Sequence, residues 1–443
     1  MERERTFAAI GRQAGTPEQN SHHCMSQSPW AVRPLLGQVQ REIAVKPGLA
    51  RGGLRLLDES ADARAGPRSA GAARQDNGRL GKVEVSQVGV FLAYGNRSPA
   101  PEAAVWTWID GERFLPEGWF APEKASERQR LGLPAERRFA TKVALGWQLV
   151  QRAQAPGLPC EAVCCADRYG RATWFRRRLR AAGIHSMAAV SVTTQVSLTR
   201  PTTAPVEAPG LPGAPGAPGA ARQAQVLTAG EPVAAGAVFD RPDTVRRRVP
   251  VRATERGVRE AEVAVRRVWP DRDEPGVPTS EEGLVLRREA AGDLSCSLSN
   301  APPAATLDRL AWLTGQRSFG ERANQDAKRE LGWDDFRAQK DRAWEHPLAL
   351  TVLASWSLAE TKLDGARQAA RDPALAHALA VEALPQRSAA NVRELLRAAL
   401  PLSHLSPEHA LALVVQHLLN RTRARKSRLK RRHQHASAPS PPM

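Results

Sequence analysis

The sequence predicts an α/β fold: a mixed β-sheet flanked by helices, interrupted by a β-rich insertion and followed by a helical C-terminal region. Three observations lead there. Between residues 54 and 192, short apolar runs come in the order three strands, helix, strand, helix, strand. A Pro/Gly/Ala-rich stretch at Pro201–Ala221 then breaks the pattern, and further strand-like runs follow it. From Leu307 onward the apolar periodicity is helical. Strands alternating with amphipathic helices cover both faces of a sheet, which is why this order implies layers rather than a sandwich.

Taken in turn, residues 1–50 show little periodicity beyond one amphipathic stretch, Leu35–Ile43. Leu54-Arg55-Leu56-Leu57-Asp58 reads as a short strand ending in an acid. Val85–Tyr94 is a second strand and Ala104–Ile109 a third, closed by the turn dipeptide Asp110-Gly111. Three consecutive strands suggest an antiparallel meander. Thr141–Gln154 predicts a helix with Val143, Trp147 and Val150 on one face. Glu161–Cys165 is the fourth strand, followed by Asp167; Thr173–Ala182 is a very basic helix, and Met187–Val192 the fifth strand. That is the order of an RNase H-like fold, and residues 51–195 are assigned to its first part.

Residues 196–305 form the insertion. Its Pro/Gly/Ala-rich segment is too short for a useful collagen triple helix and reads as a linker or exposed loop. Arg246–Arg252, Val258–Trp269, Gly283–Glu289 and Leu294–Leu298 read as strands separated by turns. The core resumes at 306–365, where Pro347–Leu363 is apolar on much of its circumference, as a buried helix is. Residues 366–432 are expected to be helical. Ser406-Pro407 starts the last helix, which ends in Arg421–Arg432, where eight of twelve residues are Lys or Arg. Residues 433–443, with Pro439, Pro441 and Pro442, read as a disordered tail.

Charge narrows the partner. The chain has 64 Lys and Arg against 46 acidic residues, a formal net charge of +18, and a pI near 10.7. This excess favours a polyanion, nucleic acid before an anionic membrane. A composition rich in Ala, Arg, Gly and Pro is also what a GC-rich genome produces. Five cysteines, an odd number, argue against a disulfide framework and for a reducing cytoplasm. Cys160, Cys164 and Cys165 read as small core residues, and His22-His23-Cys24 has no second ligand pair at zinc-finger spacing. No run of about eighteen apolar residues predicts a membrane helix, and Met1–Arg5 lacks the apolar segment of a secretory signal.

The chemistry is suggested by Arg317, Glu321 and Lys328, spaced four and seven residues apart and so on one helical face. A carboxylate between two cations suits a site that holds a metal ion and grips phosphate. Asp58 after the first strand and Asp167 after the fourth complete a possible acid trio. A few carboxylates holding two hard divalent cations can activate one oxygen and stabilise another in an in-line displacement at phosphorus. With 46 acids in the chain, such a trio taken alone reads equally well as solvated surface charge.

Longer segments add to this. Asp58-Glu59-Ser60, Ser69–Gln75, Gly78–Glu84, Ser86–Leu92, Trp106–Gly111, Phe114–Glu117, Tyr169-Gly170-Arg171, Glu321–Lys328 and Glu330–Asp334 together resemble bacterial insertion-sequence transposases of the DDE superfamily, in the branch with an IS701-like DDE domain. The resemblance runs from Ser28-Pro29-Trp30 to the basic C-terminus. It implies an RNase H-like catalytic domain with a β-rich insertion, acting on double-stranded DNA, at element ends and target, in the bacterial cytoplasm and at the nucleoid. Asp58, Asp167 and Glu321 would be the catalytic acids and the ligands of Mg²⁺ or Mn²⁺. The family signature Tyr-x₂-Arg-x₃-Glu-x₆-Lys is matched by Arg317, Glu321 and Lys328, with Thr314 at the Tyr position. Arg317 and Lys328 would grip phosphates. Arg421, Arg423, Arg425, Lys426, Arg428, Lys430, Arg431 and Arg432 would contact the DNA backbone. A homodimer in the transposition complex is also implied.

Departures from the pattern keep an alternative open. The family places Asp-Asp before x-Tyr-Gly, whereas this chain has Ala166-Asp167-Arg168-Tyr169-Gly170. If the first acid of that pair is the ligand, Asp167 is displaced by one residue, and neighbours on a strand face opposite ways. Ala61–Gly66 lacks the lysines usual there, and Asp76 stands where an aromatic is common. Fifty-seven residues precede Asp58, fewer than the N-terminal DNA-recognition region of relatives. These features predict either a transposase or a truncated, decayed copy that binds DNA without cleaving it. A cellular RNase H-like nuclease is the third reading.

Overall fold

The structure, a computed structural model, describes residues 16–49, 52–78, 81–96, 104–206, 223–228, 231–254, 257–270, 280–335, 339–371 and 388–399, with isolated positions between 406 and 426. Helices α1 (Glu18–Ser26) and α2 (Val32–Val45) come first, and α2 buries Val32, Leu36, Val39, Gln40 and Ile43 at helical spacing. Then follow β1 (Leu54–Ala63), β2 (Ala73–Asn77), β3 (Lys82–Gly95) and β4 (Trp106–Phe114). Helices α3 (Ala125–Arg130) and α4 (Lys142–Gln154) lead to β5 (Ala162–Cys165), α5 (Asp167–Arg171), α6 (Thr173–Ala181) and β6 (Ser186–Val190).

The sheet runs β4-β3-β1-β5-β6 through its centre. The pairs β1–β3 and β3–β4 are antiparallel, and β1–β5 and β5–β6 are parallel. This is the mixed sheet expected of an RNase H-like fold. β3 is buried on every residue from Ser86 to Gly95, as a strand covered on both faces requires.

After β6 come β7 (Gln195–Ser197), β8 (Thr202–Val206), β9 (Gln223–Thr228), β10 (Val233–Ala234), β11 (Arg246–Thr254), β12 (Gly257–Pro270), β13 (Glu282–Arg288) and β14 (Leu294–Ser299). β14 lies antiparallel to β6, and β13, β12 and β11 follow outward. The strands of the insertion therefore extend the central sheet. β8 and β9 form a separate two-stranded ribbon; residues 207–222 of the Pro/Gly/Ala-rich segment lie outside the described residues. Helices α7 (Leu307–Arg329), α8 (Arg342–Arg371) and α9 (Ala389–Ala399) complete the described chain.

Three expectations need correction. Asp58 does not end its strand: β1 continues five residues past it, and its partner β3 continues alongside. Asp110-Gly111 makes no turn but sits inside β4, where the ladder to β3 shifts between Leu92 and Ala93. The Asp110 carboxylate accepts from Arg33 (2.7 Å), Arg152 (2.9 Å) and the Gly111 N–H (2.7 Å), and a Cβ on Gly111 would meet Phe91 at 2.9 Å. Buried ion pairs and a close approach have overridden the local turn preference of that dipeptide. The helix at Pro347–Leu363 is only partly covered: Leu348, Ala349, Val352 and Trp356 are buried, but Leu350 and Leu353 are exposed. Among the described residues, no helix is long and apolar enough to cross a membrane.

Arg55 shows how β1 is held. Its side chain is buried and donates to the carbonyls of Val150 (3.2 Å), Ala153 (3.1 Å) and Leu158 (2.8 Å). The Ala153 and Leu158 carbonyls lie at and beyond the end of α4, where the helix supplies no donor of its own. Burial lowers the guanidinium pKa, yet three carbonyls and the negative end of a helix keep the cation in place. Arg55→Met preserves much of the volume and strands these acceptors; urea denaturation should show a loss of about 2–4 kcal/mol.

Candidate active site

Helix α7 carries the candidate residues Arg317 and Glu321, and small residues let it lie close across the sheet. The Thr306 side chain caps it, accepting from Arg309 N–H at 3.3 Å. A Cβ on Gly315 would stand 2.9 Å from Val251 of β11; one on Gly320 would stand 3.5 Å from Leu56 Cβ and 3.8 Å from Asp58 Cβ. One turn past Gly320, Asn324 donates from Nδ2 to Asp58 Oδ2 at 3.1 Å. Another turn on, Lys328 is buried, its Nζ 2.6 Å from Asp62 Oδ1 and donating to Ala61 O at 2.7 Å.

The two neighbouring acids of β1 are separated by the strand's alternation. Asp58 meets Asn324 of α7, whereas Glu59 pairs with Lys142 (2.8 Å) and Arg168 (2.7 Å) from α4 and α5. Burial pushes the Asp58 carboxyl up to about 6. The Glu59 N–H and Arg317 oppose that rise, and the charges of Glu321 and Glu59 add to it. Asp58 and Glu321 thus share one electrostatic neighbourhood.

Parallel pairing of β1 with β5 ends at Leu57 and Cys165. The next residues are Asp58 on β1 and Ala166 leaving β5, so the methyl of Ala166 occupies the step where the family's first acid would stand. Asp167 is already the first residue of α5 and is no longer bound by strand alternation. Its Oδ2 lies 2.6 Å from Arg171, and its Oδ1 is buried with no hydrogen-bond partner among the described residues. The Tyr169-Gly170 pair sets this turn. Tyr169 is fully buried against Gly146 and Leu57, and a Cβ on Gly170 would stand only 1.7 Å from Ala189 O of β6.

Asp167, Arg317 and Glu321 line one cleft of about 550 Å³ between α7 and the β6–β14 pair, with Arg287, Thr314 and Ser297 also on its wall. Arg317 and Glu321 pair at 2.9 Å, and both are about half exposed. Thr314, at the family's Tyr position, donates to Ala311 O (2.7 Å) and accepts from Arg287 Nη1 (3.1 Å). Arg423 and Lys426 are exposed and helical, while Arg421, Arg425, Arg428, Lys430, Arg431 and Arg432 lie outside the described residues.

Among the described residues, no three His, Cys, Asp or Glu groups stand close enough together to hold a metal ion. The donor chemistry nevertheless fits a hard divalent cation, which takes oxygen ligands. Asp58 is half-buried and meets the Asn324 amide, Asp167 has an oxygen with no hydrogen-bond partner among the described residues, and Glu321 has an exposed, weakly held pair to Arg317. Asn324, Arg287 and Arg171 were not anticipated from the sequence. A signal existed for Asn324, since asparagine is a poor residue for a helix interior.

Because folding raises the Asp58 pKa above its ordinary 3.8, the folded state binds the proton more tightly. The penalty grows as pH rises from about 4 to about 6 and is fully present above that window. Asp58→Asn should therefore stabilise the protein by about 2 kcal/mol at pH 7.5, with the advantage vanishing below pH 4; thermal melts across pH check this.

A comparison with curated proteins gives no match. The family profile described as DDE superfamily endonuclease matches residues 1–259, a span that contains Asp58 and Asp167 and ends before α7. That span is more than half of the 443 residues, and its superfamily implies DNA as the substrate: this chain belongs to the DDE superfamily endonucleases.

Proposed function

We propose that the protein is an insertion-sequence transposase that cleaves DNA at the ends of its element and transfers the freed strand to a target. The observation that carries this reading is the shared cleft of Asp167, Arg317 and Glu321, beside the strand that carries Asp58. Asp58, Asp167 and Glu321 are the residues that would hold Mg²⁺ or Mn²⁺. Such a cation supplies Lewis-acid stabilisation at phosphorus and lowers the pKa of attacking water.

The chain's own residues contribute the rest. Arg317 exchanges its exposed pair with Glu321 for a DNA phosphate, which frees Glu321 as a ligand and places a bidentate cation on the substrate. Exchange is cheap, because an exposed pair contributes only about 0–1 kcal/mol. In the first step water attacks the scissile phosphodiester and the strand's 3′-oxygen leaves, taking up a proton. In the second, that 3′-hydroxyl gives up its proton and attacks a target phosphodiester, a new P–O bond forms, and the target's 3′-oxygen departs and takes up a proton. The reading includes a bacterial setting at the nucleoid, a homodimer in the transposition complex and a role for the basic C-terminal run on the DNA backbone.

Lys328 contributes differently in the structure: its charge is matched by Asp62, so its phosphate contact requires that pair to open. One observation favours a second reading, a DNA-binding protein without catalysis: Ala166 brings no carboxylate next to Asp58.

Nicking of duplex DNA carrying the element's terminal repeats should require Mg²⁺ or Mn²⁺ and should disappear in Asp58→Ala. Retained DNA binding with no metal-dependent nicking by the wild-type chain would sink the transposase reading and support the second. Deleting residues 421–443 should weaken DNA binding and flatten its salt dependence. The slope of log K against log salt should shrink by about 0.9 for each phosphate that the run neutralises; an unchanged slope means the run does not touch DNA.

A further inference from the structure

The reading of Asp58 as a metal-binding carboxylate leaves open what orients it. We propose that Asn324 is a positioning residue for Asp58, itself fixed by the indole of Trp108. The inference rests on the metal-dependent reading above and adds to it a residue that touches neither metal nor substrate.

An asparagine amide can face either way, but here its orientation is determined. Trp108 Nε1 donates to Asn324 Oδ1 at 3.0 Å, and an indole N–H can only donate. The amide NH₂ is therefore left facing β1, where it donates to Asp58 Oδ2 at 3.1 Å and approaches Glu59 O at 3.4 Å. Only one Asp58 oxygen is engaged in this way, so the carboxylate is oriented without being neutralised.

The relay is rigid at its far end. Trp108 is fully buried, stacked on Phe91 with centroids 4.1 Å apart and edge-on to Trp333 at 5.6 Å. Its backbone N–H donates to Ser355 Oγ of α8 at 3.2 Å. Asn324 is itself buried between Ala323 and Ala327, both buried too. A buried asparagine in a helix interior, satisfied at both ends of its amide, is a costly arrangement to keep unless its donor is aimed at something. What it meets is the Asp58 carboxylate, at 3.1 Å.

The test is Mn²⁺ titration of the full chain, followed by the electron paramagnetic resonance signal of free Mn²⁺. Outer-shell partners of metal ligands typically contribute 10–100-fold to affinity. Asn324→Ala should weaken Mn²⁺ binding about tenfold at the low end of that range, while DNA binding in the absence of metal stays unchanged. Trp108→Phe keeps an aromatic ring against Phe91 and Trp333 but removes the donor, and should show a smaller loss in the same direction. The double variant should bind no more weakly than Asn324→Ala alone, since both changes act through one amide. Wild-type affinity in Asn324→Ala overturns the assignment. If that variant fails to fold, Trp108→Phe decides: weakened binding supports the relay and unchanged binding overturns it. Failure of the underlying reading is seen elsewhere, in a wild-type chain whose Mn²⁺ binding Asp58→Ala does not diminish.

Discussion

The candidate site depends on the way α7 lies against β1. Gly320, Asn324 and Lys328, spaced by single helical turns, meet Leu56 and Asp58, then Asp58, then Ala61 and Asp62. The lower end of this seam is a buried ion pair, Lys328 with Asp62 at 2.6 Å, to which Trp333 Nε1 adds a hydrogen bond at 2.8 Å. Net stabilisation by a buried pair is small compared with an apolar replacement, but opening it leaves a buried charge uncompensated, at roughly 3–5 kcal/mol. Sliding α7 by one turn would do that. The pair therefore holds the helix in register, and Glu321 keeps its place on the cleft because Lys328 keeps its own.

Acids elsewhere in the fold provide a useful contrast. Asp110 and Glu112 are both buried, yet Arg33, Arg137 and Arg152 surround them with ion pairs of 2.6–3.1 Å. Burial alone would raise the Glu112 pKa; the three guanidinium groups outweigh it and hold the carboxyl below its usual range. That cluster fastens α2 and α4 to β4 and is satisfied by the protein alone. Asp58 is half-buried and meets the neutral Asn324 amide where Glu112 meets guanidinium groups, and Asp167 has an oxygen with no partner among the described residues. Charge left unmatched by the fold is what distinguishes an acid awaiting a ligand from one that holds the scaffold.

Much of the framework was legible in the sequence because its strands and helices bury faces with clear periods. β3 announces itself by an unbroken apolar run, and α4 by a helical apolar face read as Val143, Trp147 and Val150. Of these the structure buries only Val150 fully, with Leu145 and Leu149, and leaves Val143 and Trp147 partly buried. Elements held by polar contacts were harder to read. β2, Ala73–Asn77, is polar from Arg74 onward and pairs with β3; the continuation of β1 through Asp62 and of β4 through Asp110-Gly111 is accompanied by ion pairs across the fold. No local pattern encodes partners as distant as Arg33 for Asp110 or Lys328 for Asp62.

For the site, the sequence by itself determined the residue types and their spacing: Asp58 after an apolar run, Asp167 before Tyr-Gly, and Arg317, Glu321 and Lys328 at four- and seven-residue steps. Helical geometry places the last three on one face, but a shared face does not mean a shared environment. The fold alone leaves Arg317 and Glu321 half exposed at the cleft and buries Lys328 on Asp62, because α7 crosses the face of the sheet and its neighbours change along its length. Likewise only the fold separated Asp58 from Glu59, by turning one toward α7 and the other toward Lys142 and Arg168, and put Ala166 beside the carboxyl that an acid would have joined. Periodicity is a property of neighbours along the chain; unmatched charge is a property of what the rest of the chain brings to it.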